Sequence, residues 1–272
     1  MYLETLDNFA AVAERKAAAI RRGPLPFFVA AMMAGAYVGL GIILIFSVGA
    51  TLDPAWRRLA MGASFGIALT LVIFAGSELF TGHTMFMTIG RLRRRVTGAD
   101  LAASWTLTWL GNLAGAVLLG LTFVAGGGGA LLAEGAPLLQ KAAAAKMNAP
   151  AAELFARAIL CNWLVCLAIW MAARTTDDTA KLGVIFWCLF AFIASGYEHS
   201  VANMTLFSIA LLAEHGEAVS LAGMAHNLLW VTLGNAVAGA GFMAGGYWLA
   251  SRSALTPAQQ PAERELAPAG PR

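Results

Sequence analysis

Six long apolar stretches, at residues 26–50, 59–89, 101–125, 153–173, 182–212 and 221–250, are separated by short polar segments. Each reaches the roughly 20 predominantly apolar residues that a helix needs to cross a bilayer, so the pattern predicts an all-α integral membrane protein with six transmembrane helices. Six is even, which puts both termini on one side. Helix-start residues fall at several boundaries: Asp53 before Pro54, Asp100 before Leu101, and Asn148 with Pro150 and Glu153.

The second and fifth stretches are the longest, and each carries a polar cluster deep within it. Gly76, Ser77, Glu78, Leu79, Phe80, Thr81, Gly82, His83 and Thr84 form the first; Gly196, Tyr197, Glu198, His199, Ser200, Val201, Ala202 and Asn203 form the second. The two Gly-x-Glu clusters lie 120 residues apart, and Leu110-Gly111-Asn112 recurs 123 residues later as Leu233-Gly234-Asn235. A unit of three spans inserts its second copy upside down. Residues 26–125 and 153–252 are therefore predicted to be inverted repeats whose second and fifth helices are broken. Irregular backbone survives at membrane depth only where protein or water satisfies it, so the transport pathway is expected to pass both breaks.

The remaining segments complete the domain plan. Leu6, Phe9, Ala10, Ala13, Ala17 and Ile20 follow helical spacing beside Arg15, Lys16, Arg21 and Arg22, which predicts an amphipathic helix over 1–25 lying at the inner membrane surface. Residues 126–152 form an outer, periplasmic loop, with the glycine run 126–129 as a flexible piece. Residues 253–272, rich in Pro, Ala and charge, read as a disordered cytoplasmic tail.

Composition sharpens this picture by exclusion. Of 272 residues, 59% are apolar or aromatic and 12% charged, against about 25% charged in a soluble domain. That excludes a soluble globule and a disordered chain. A net charge of +3 is too small to argue for a nucleic-acid partner. The placement of charge says more: 13 Lys and Arg fall on the side of the termini, including Arg91, Arg93, Arg94, Arg95, Arg174 and Lys181. Five fall opposite: Arg57, Arg58, Lys141, Lys146 and Arg157. Both termini are expected in the cytoplasm. The N-terminus offers no continuous apolar core of a cleavable signal peptide. Cys161, Cys166 and Cys188 read as small buried hydrophobes, without metal or redox spacing.

Glu78, Glu198 and His199 are costly at membrane depth and need a reason to be there. Each glutamate is read as accepting hydrogen bonds from amides freed at its own break. His199 is read as functional, because its repeat partner is Leu79 and a titratable ring at mid-membrane suits ion or proton handling. His83, His215 and His226 are assigned packing or interfacial roles. No metal or cofactor site is expected, since adjacent Glu and His cannot supply a ligand set. No nucleophile with its base and no cofactor motif point to an enzyme. Small residues at helical spacing, as at Gly35 and Gly39, Gly62 and Gly66, or Gly111 and Gly115, predict close helix packing.

The segments GAYVGLG at 35–41, GSELFTGHTM at 76–85, CNWLVCLAIW at 161–170, SGYEHSVANM at 195–204 and NLLWVTLGN at 227–235 together resemble the formate/nitrite transporter family, most closely its nitrite-channel branch. The resemblance covers about residues 5–250. It implies a homopentamer of aquaporin-like protomers that each hold a pore in a bacterial inner membrane. It implies a central histidine at His199 faced by Thr81. Apolar constrictions are implied at Phe65, Val165 and Phe192 on the outer side, and at Leu69, Leu79 and Phe80 on the inner side. Polar pathway positions are implied at Glu198, Lys146, Asn162 and Asn227.

The function that follows from the resemblance is a channel or transporter for nitrite, with formate or another small monocarboxylate as the alternative. Two mechanisms stay open: His199 donates a proton to the anion, with protons co-transported, or it serves only as a hydrogen-bond donor. A water or neutral-solute pore is a competing class, disfavoured by the Glu and His clusters at the breaks.

Overall fold

The computed structural model describes residues 2–251, all helices and turns. The expected tail at 253–272 lies outside the described residues. The chain opens with α1 (Leu3–Arg22), which carries Glu4 in its first turn and Arg21 and Arg22 in its last, as the helix dipole favours. Its predicted apolar face is buried, but against protein: Leu6, Phe9, Ala10, Ala13 and Ala17 are all covered, and Phe9 stacks on Phe86 and Trp170. The helix is thus docked on the other helices, and that face is not free to rest on lipid.

Helix α2 (Pro24–Ala50) starts at a proline, which needs no amide partner in a first turn. Helix α3 (Pro54–Ser64) is capped by Asp53, whose carboxylate accepts from the Ala55 amide at 2.8 Å, and α4 (Gly66–Phe74) continues it past Phe65. Residues 75–79 are non-helical, and α5 (Phe80–Leu92) follows. Helix α6 (Gly98–Ala125) begins with a capping box in which Thr97 is the cap and Asp100 reaches back to it. The expected outer loop holds two helices, α7 (Gly129–Leu132) and α8 (Ala136–Met147), and α8 buries Leu139, Ala143 and Met147.

The second part of the chain contains α9 (Ala151–Ala172), α10 (Asp178–Ala194) and α11 (Ser200–Leu212), with residues 195–199 non-helical between the last two. Helix α12 (Leu221–Val237) then passes into a π-helical segment, Ala238–Gly245, and α13 (Gly246–Ala250). Among the described residues, five helical runs are long and apolar enough to cross a membrane: Pro24–Ala50, Pro54–Phe74, Gly98–Ala125, Ala151–Ala172 and Leu221–Ala250. The predicted fifth stretch is divided between α10 and α11.

Glycines set how closely these helices approach. A Cβ on Gly35 would come 2.0 Å from the Asn112 carbonyl oxygen, and one on Gly115 would come 1.9 Å from that of Met32, so α2 and α6 touch backbone to backbone. Gly111 of α6 faces the Phe28 carbonyl and Ala31, while Gly234 of α12 faces the Phe155 carbonyl and Ala158 of α9. Gly66 differs from the expectation: nothing approaches its Cβ position closer than 3.6 Å.

Candidate functional site

The two non-helical stretches are built alike. Gly76 and Gly196 take positive φ, +77° and +74°, where a side chain would be strained. The next amides turn back onto the preceding helix: Ser77 donates to the Val72 carbonyl at 3.1 Å and Tyr197 to that of Phe192 at 3.0 Å. Glu78 N–H donates to the Ala30 carbonyl and Glu198 N–H to that of Arg157.

Two asparagines, not the glutamates, satisfy the rest. Asn112 Oδ1 accepts from the Phe80 amide, and its Nδ2 donates to the Ala31 and Glu78 carbonyls at 2.7 and 2.9 Å. Asn235 accepts from the Ser200 amide and donates to the Ala158 and Glu198 carbonyls at 2.8 and 3.1 Å. One amide side chain supplies both an acceptor and two donors, which a carboxylate cannot. The expectation that each Glu caps its own break is therefore corrected. The two asparagines belong to the repeated Leu-Gly-Asn tripeptide, which was the available sequence signal.

The glutamates instead meet lysines. Glu78 pairs with Lys16 of α1 through one oxygen and lies 2.8 Å from His83 Nε2 through the other. His83 Nδ1 is 2.7 Å from Ser104 Oγ, and the ring packs edge-on against Phe27 and Phe86. Glu198 pairs with Lys146 at the end of α8 at 2.8 Å and accepts from Asn203 Nδ2 at 2.7 Å. Asn227 in turn accepts from Asn203 at 2.9 Å and donates to the Lys146 carbonyl at 2.9 Å. Sequence reasoning missed Lys16 and Asn203 as partners of the glutamates and gave His83 only a packing or interfacial role. Lys16 could not be found without knowing where α1 docks.

His199, in the second stretch, meets Thr81 of the first. It is the N-cap of α11, and its Nδ1 accepts from the Ala202 amide at 3.1 Å. An acceptor nitrogen carries no proton, so the neutral ring bears its hydrogen on Nε2, which lies 3.2 Å from Thr81 Oγ1. Phe192 stacks on the ring with centroids 6.0 Å apart.

His199 lies in the wall of two cavities. One, of about 10 Å³, is room for about one water and is lined by Phe65, Leu69, Leu79, Val165, Phe192 and neighbours. The other, of about 130 Å³, holds Lys146, Tyr197, Asn203 and Phe192. Five of the six expected constriction residues therefore surround one narrow space beside His199. Phe80 does not join them; its ring turns edge-on to Trp105. Asn162 is fully buried behind Thr81, and Asn227 stands behind Lys146. Among the described residues no group of three or more His, Cys, Asp or Glu could hold a metal.

Against known proteins, the chain matches the formate/nitrite transporter family over residues 4–249. It is 55% identical to the nitrite transporter NirC of Salmonella typhimurium, over 95% of both chains. A solved structure described as an FNT family ion channel superposes with a TM-score of 0.87 at 56% identity, covering 91% of this chain and 99% of that one. A pentameric formate channel with formate bound superposes at 0.74 with 25% identity, covering 85% and 99%.

Proposed function

The chain belongs to the formate/nitrite transporter family, and we propose that this multi-pass membrane transporter carries nitrite past His199 as an anion that is hydrogen-bonded but never protonated by the ring. The observation that carries the mechanism is the pair of bonds made by His199: Nδ1 held as an acceptor by the Ala202 amide, and Nε2 facing Thr81. Nε2–H donates to Thr81 Oγ1, which leaves the threonine hydroxyl hydrogen free to point at a passing oxyanion. A protonated ring would set N–H against N–H at Ala202 and lose the helix cap, at a cost of about 1 kcal/mol.

Nitrite is favoured because a relative 55% identical over 95% of both chains is named a nitrite transporter; formate is the second substrate, supported by the formate-bound channel of similar fold. Lys146 raises the local anion concentration at the wider cavity, and the apolar ring of Phe65, Leu69, Leu79, Val165 and Phe192 excludes bulky or strongly hydrated solutes. The same reading places residues 26–125 and 153–252 as inverted repeats, with the chain in a bacterial inner membrane and both termini cytoplasmic. It assembles as a homopentamer, and an apolar groove of about 450 Å³ lined by Trp109, Leu113, Leu221 and Leu228 offers a face for a neighbour or for lipid.

Proteoliposomes test this. His199→Asn keeps an amide donor and a helix-capping oxygen, so nitrite flux is expected to stay within about tenfold of the parent with the same dependence on pH. His199→Leu is expected to abolish flux. Loss of proton coupling in His199→Asn with anion current retained would overturn the mechanism in favour of proton donation by the ring. Glycerol flux that matches nitrite flux would overturn the anion assignment.

A further inference from the structure

The hydroxyl of Thr81 can serve His199 only if the first turn of α5 is held still, and buried side chains hold it. The Thr81 carbonyl accepts from Thr84 Oγ1 at 2.6 Å and from Asn162 Nδ2 at 3.3 Å. Asn162 Nδ2 also donates to Thr84 Oγ1 at 3.1 Å and to the Asn235 carbonyl at 2.7 Å. Asn235 caps the first turn of α11, directly after His199. A single side chain on α9 thus ties the start of the helix that carries Thr81 to the residue that anchors the start of the helix that carries His199.

Thr84 is buttressed from the other side. A Cβ on Gly239 would lie 1.9 Å from Thr84 Oγ1 and 3.1 Å from the Met85 amide. Gly239 is the second residue of the π-helical segment, Ala238–Gly245. Such segments are rare, and they re-aim backbone that an α-helix would place elsewhere. Here the segment lays a bare backbone surface against Thr84, so close that a single methyl at Gly239 would displace the hydroxyl. Thr84, Asn162 and Asn235 are all fully buried, and their side chains bond to backbone atoms and to one another.

We propose that Thr84, Asn162 and Gly239 are positioning residues that set the Thr81–His199 contact, with Asn162 acting through Thr81. This rests on the reading of Thr81 and His199 as the centre of the pathway. It departs from the expectation that Asn162 is a polar lining position.

The test is a double-mutant cycle on nitrite flux in proteoliposomes, with thermal unfolding in detergent as a check on the fold. Thr84→Val keeps the volume and removes the hydroxyl; it is expected to lower flux about tenfold, since small misplacements at a reacting centre cost that much or more. Thr84→Ser restores the donor and is expected to recover flux to within about twofold. In a Thr81→Ala background, Thr84→Val and Asn162→Ala are expected to lower flux by less than about twofold further, because contacting residues that act through one group are not additive.

Full additivity with Thr81→Ala, or parental flux in Thr84→Val, overturns the proposal. If Thr84→Val does not assemble, Gly239→Ala displaces the same hydroxyl and is judged by the same criterion. Parental flux in Thr81→Ala itself would instead overturn the underlying assignment of the pathway, a distinct result.

Discussion

The stretch at Glu78 and the stretch at Glu198 share a backbone and differ in chemistry. Both use a glycine at positive φ, an amide turned back on the preceding helix, an asparagine that caps the next helix, and a glutamate paired to a lysine from elsewhere in the chain. The differences are confined to side chains around that frame. Where one stretch has Leu79 as the helix cap, the other has His199; where one glutamate meets His83, itself bonded to Ser104, the other meets Asn203, itself bonded to Asn227. The common features are those needed to end and restart a helix out of water, where each unpaired backbone group costs several kcal/mol. The unshared ones are free to specialise, and His199, which lines two cavities, has Leu79 as its counterpart in the first stretch.

The largest expected effect addresses the shared frame. Asn112→Ala and Asn235→Ala each strand one amide and two carbonyls in the interior, which predicts a loss of about 3 kcal/mol or more, similar at both sites. Thermal unfolding in detergent checks it, and a large loss at only one of them would show that the likeness is superficial. Next in size, Gly111→Ala and Gly234→Ala push a methyl into a neighbouring carbonyl and an alanine at corresponding helix crossings, for about 2 kcal/mol each. Unequal melting shifts would mean that one crossing can relax and the other cannot.

The smallest change makes the first stretch resemble the second. His83→Asn is expected to retain the fold with a loss of about 1 kcal/mol, since an amide can still donate to Glu78 but no longer spans to Ser104. Its melting temperature should fall by only a few degrees, and a collapse of assembly would show that the imidazole there is a keystone the other stretch does without.

Much of this was legible in the sequence, for identifiable reasons. Apolar length marked the helices, and the clusters at 76–84 and 196–203 marked the two non-helical stretches, because polar residues are too costly inside a long apolar run unless broken backbone or a pathway calls for them. Family resemblance named His199 and Thr81 as partners, and the two meet at 3.2 Å. The capping asparagines were visible as a repeated tripeptide but not as caps, since a side chain that bonds 32 and 35 residues away leaves no local trace. Phe80 was placed at a constriction by position; its amide is capped by Asn112 and its ring lies edge-on to Trp105.

By itself, the order of apolar and polar residues determined a membrane-embedded helical protein with two interruptions and one unmatched histidine, because burial and backbone satisfaction are rules that act along the chain. Only the tertiary structure decided what each charge faces. Lys16 meets Glu78 because α1 folds back across 62 residues, and the proton of His199 sits on Nε2 because a helix amide occupies Nδ1. Partners distant in sequence are chosen by packing, and packing is a property of the whole fold.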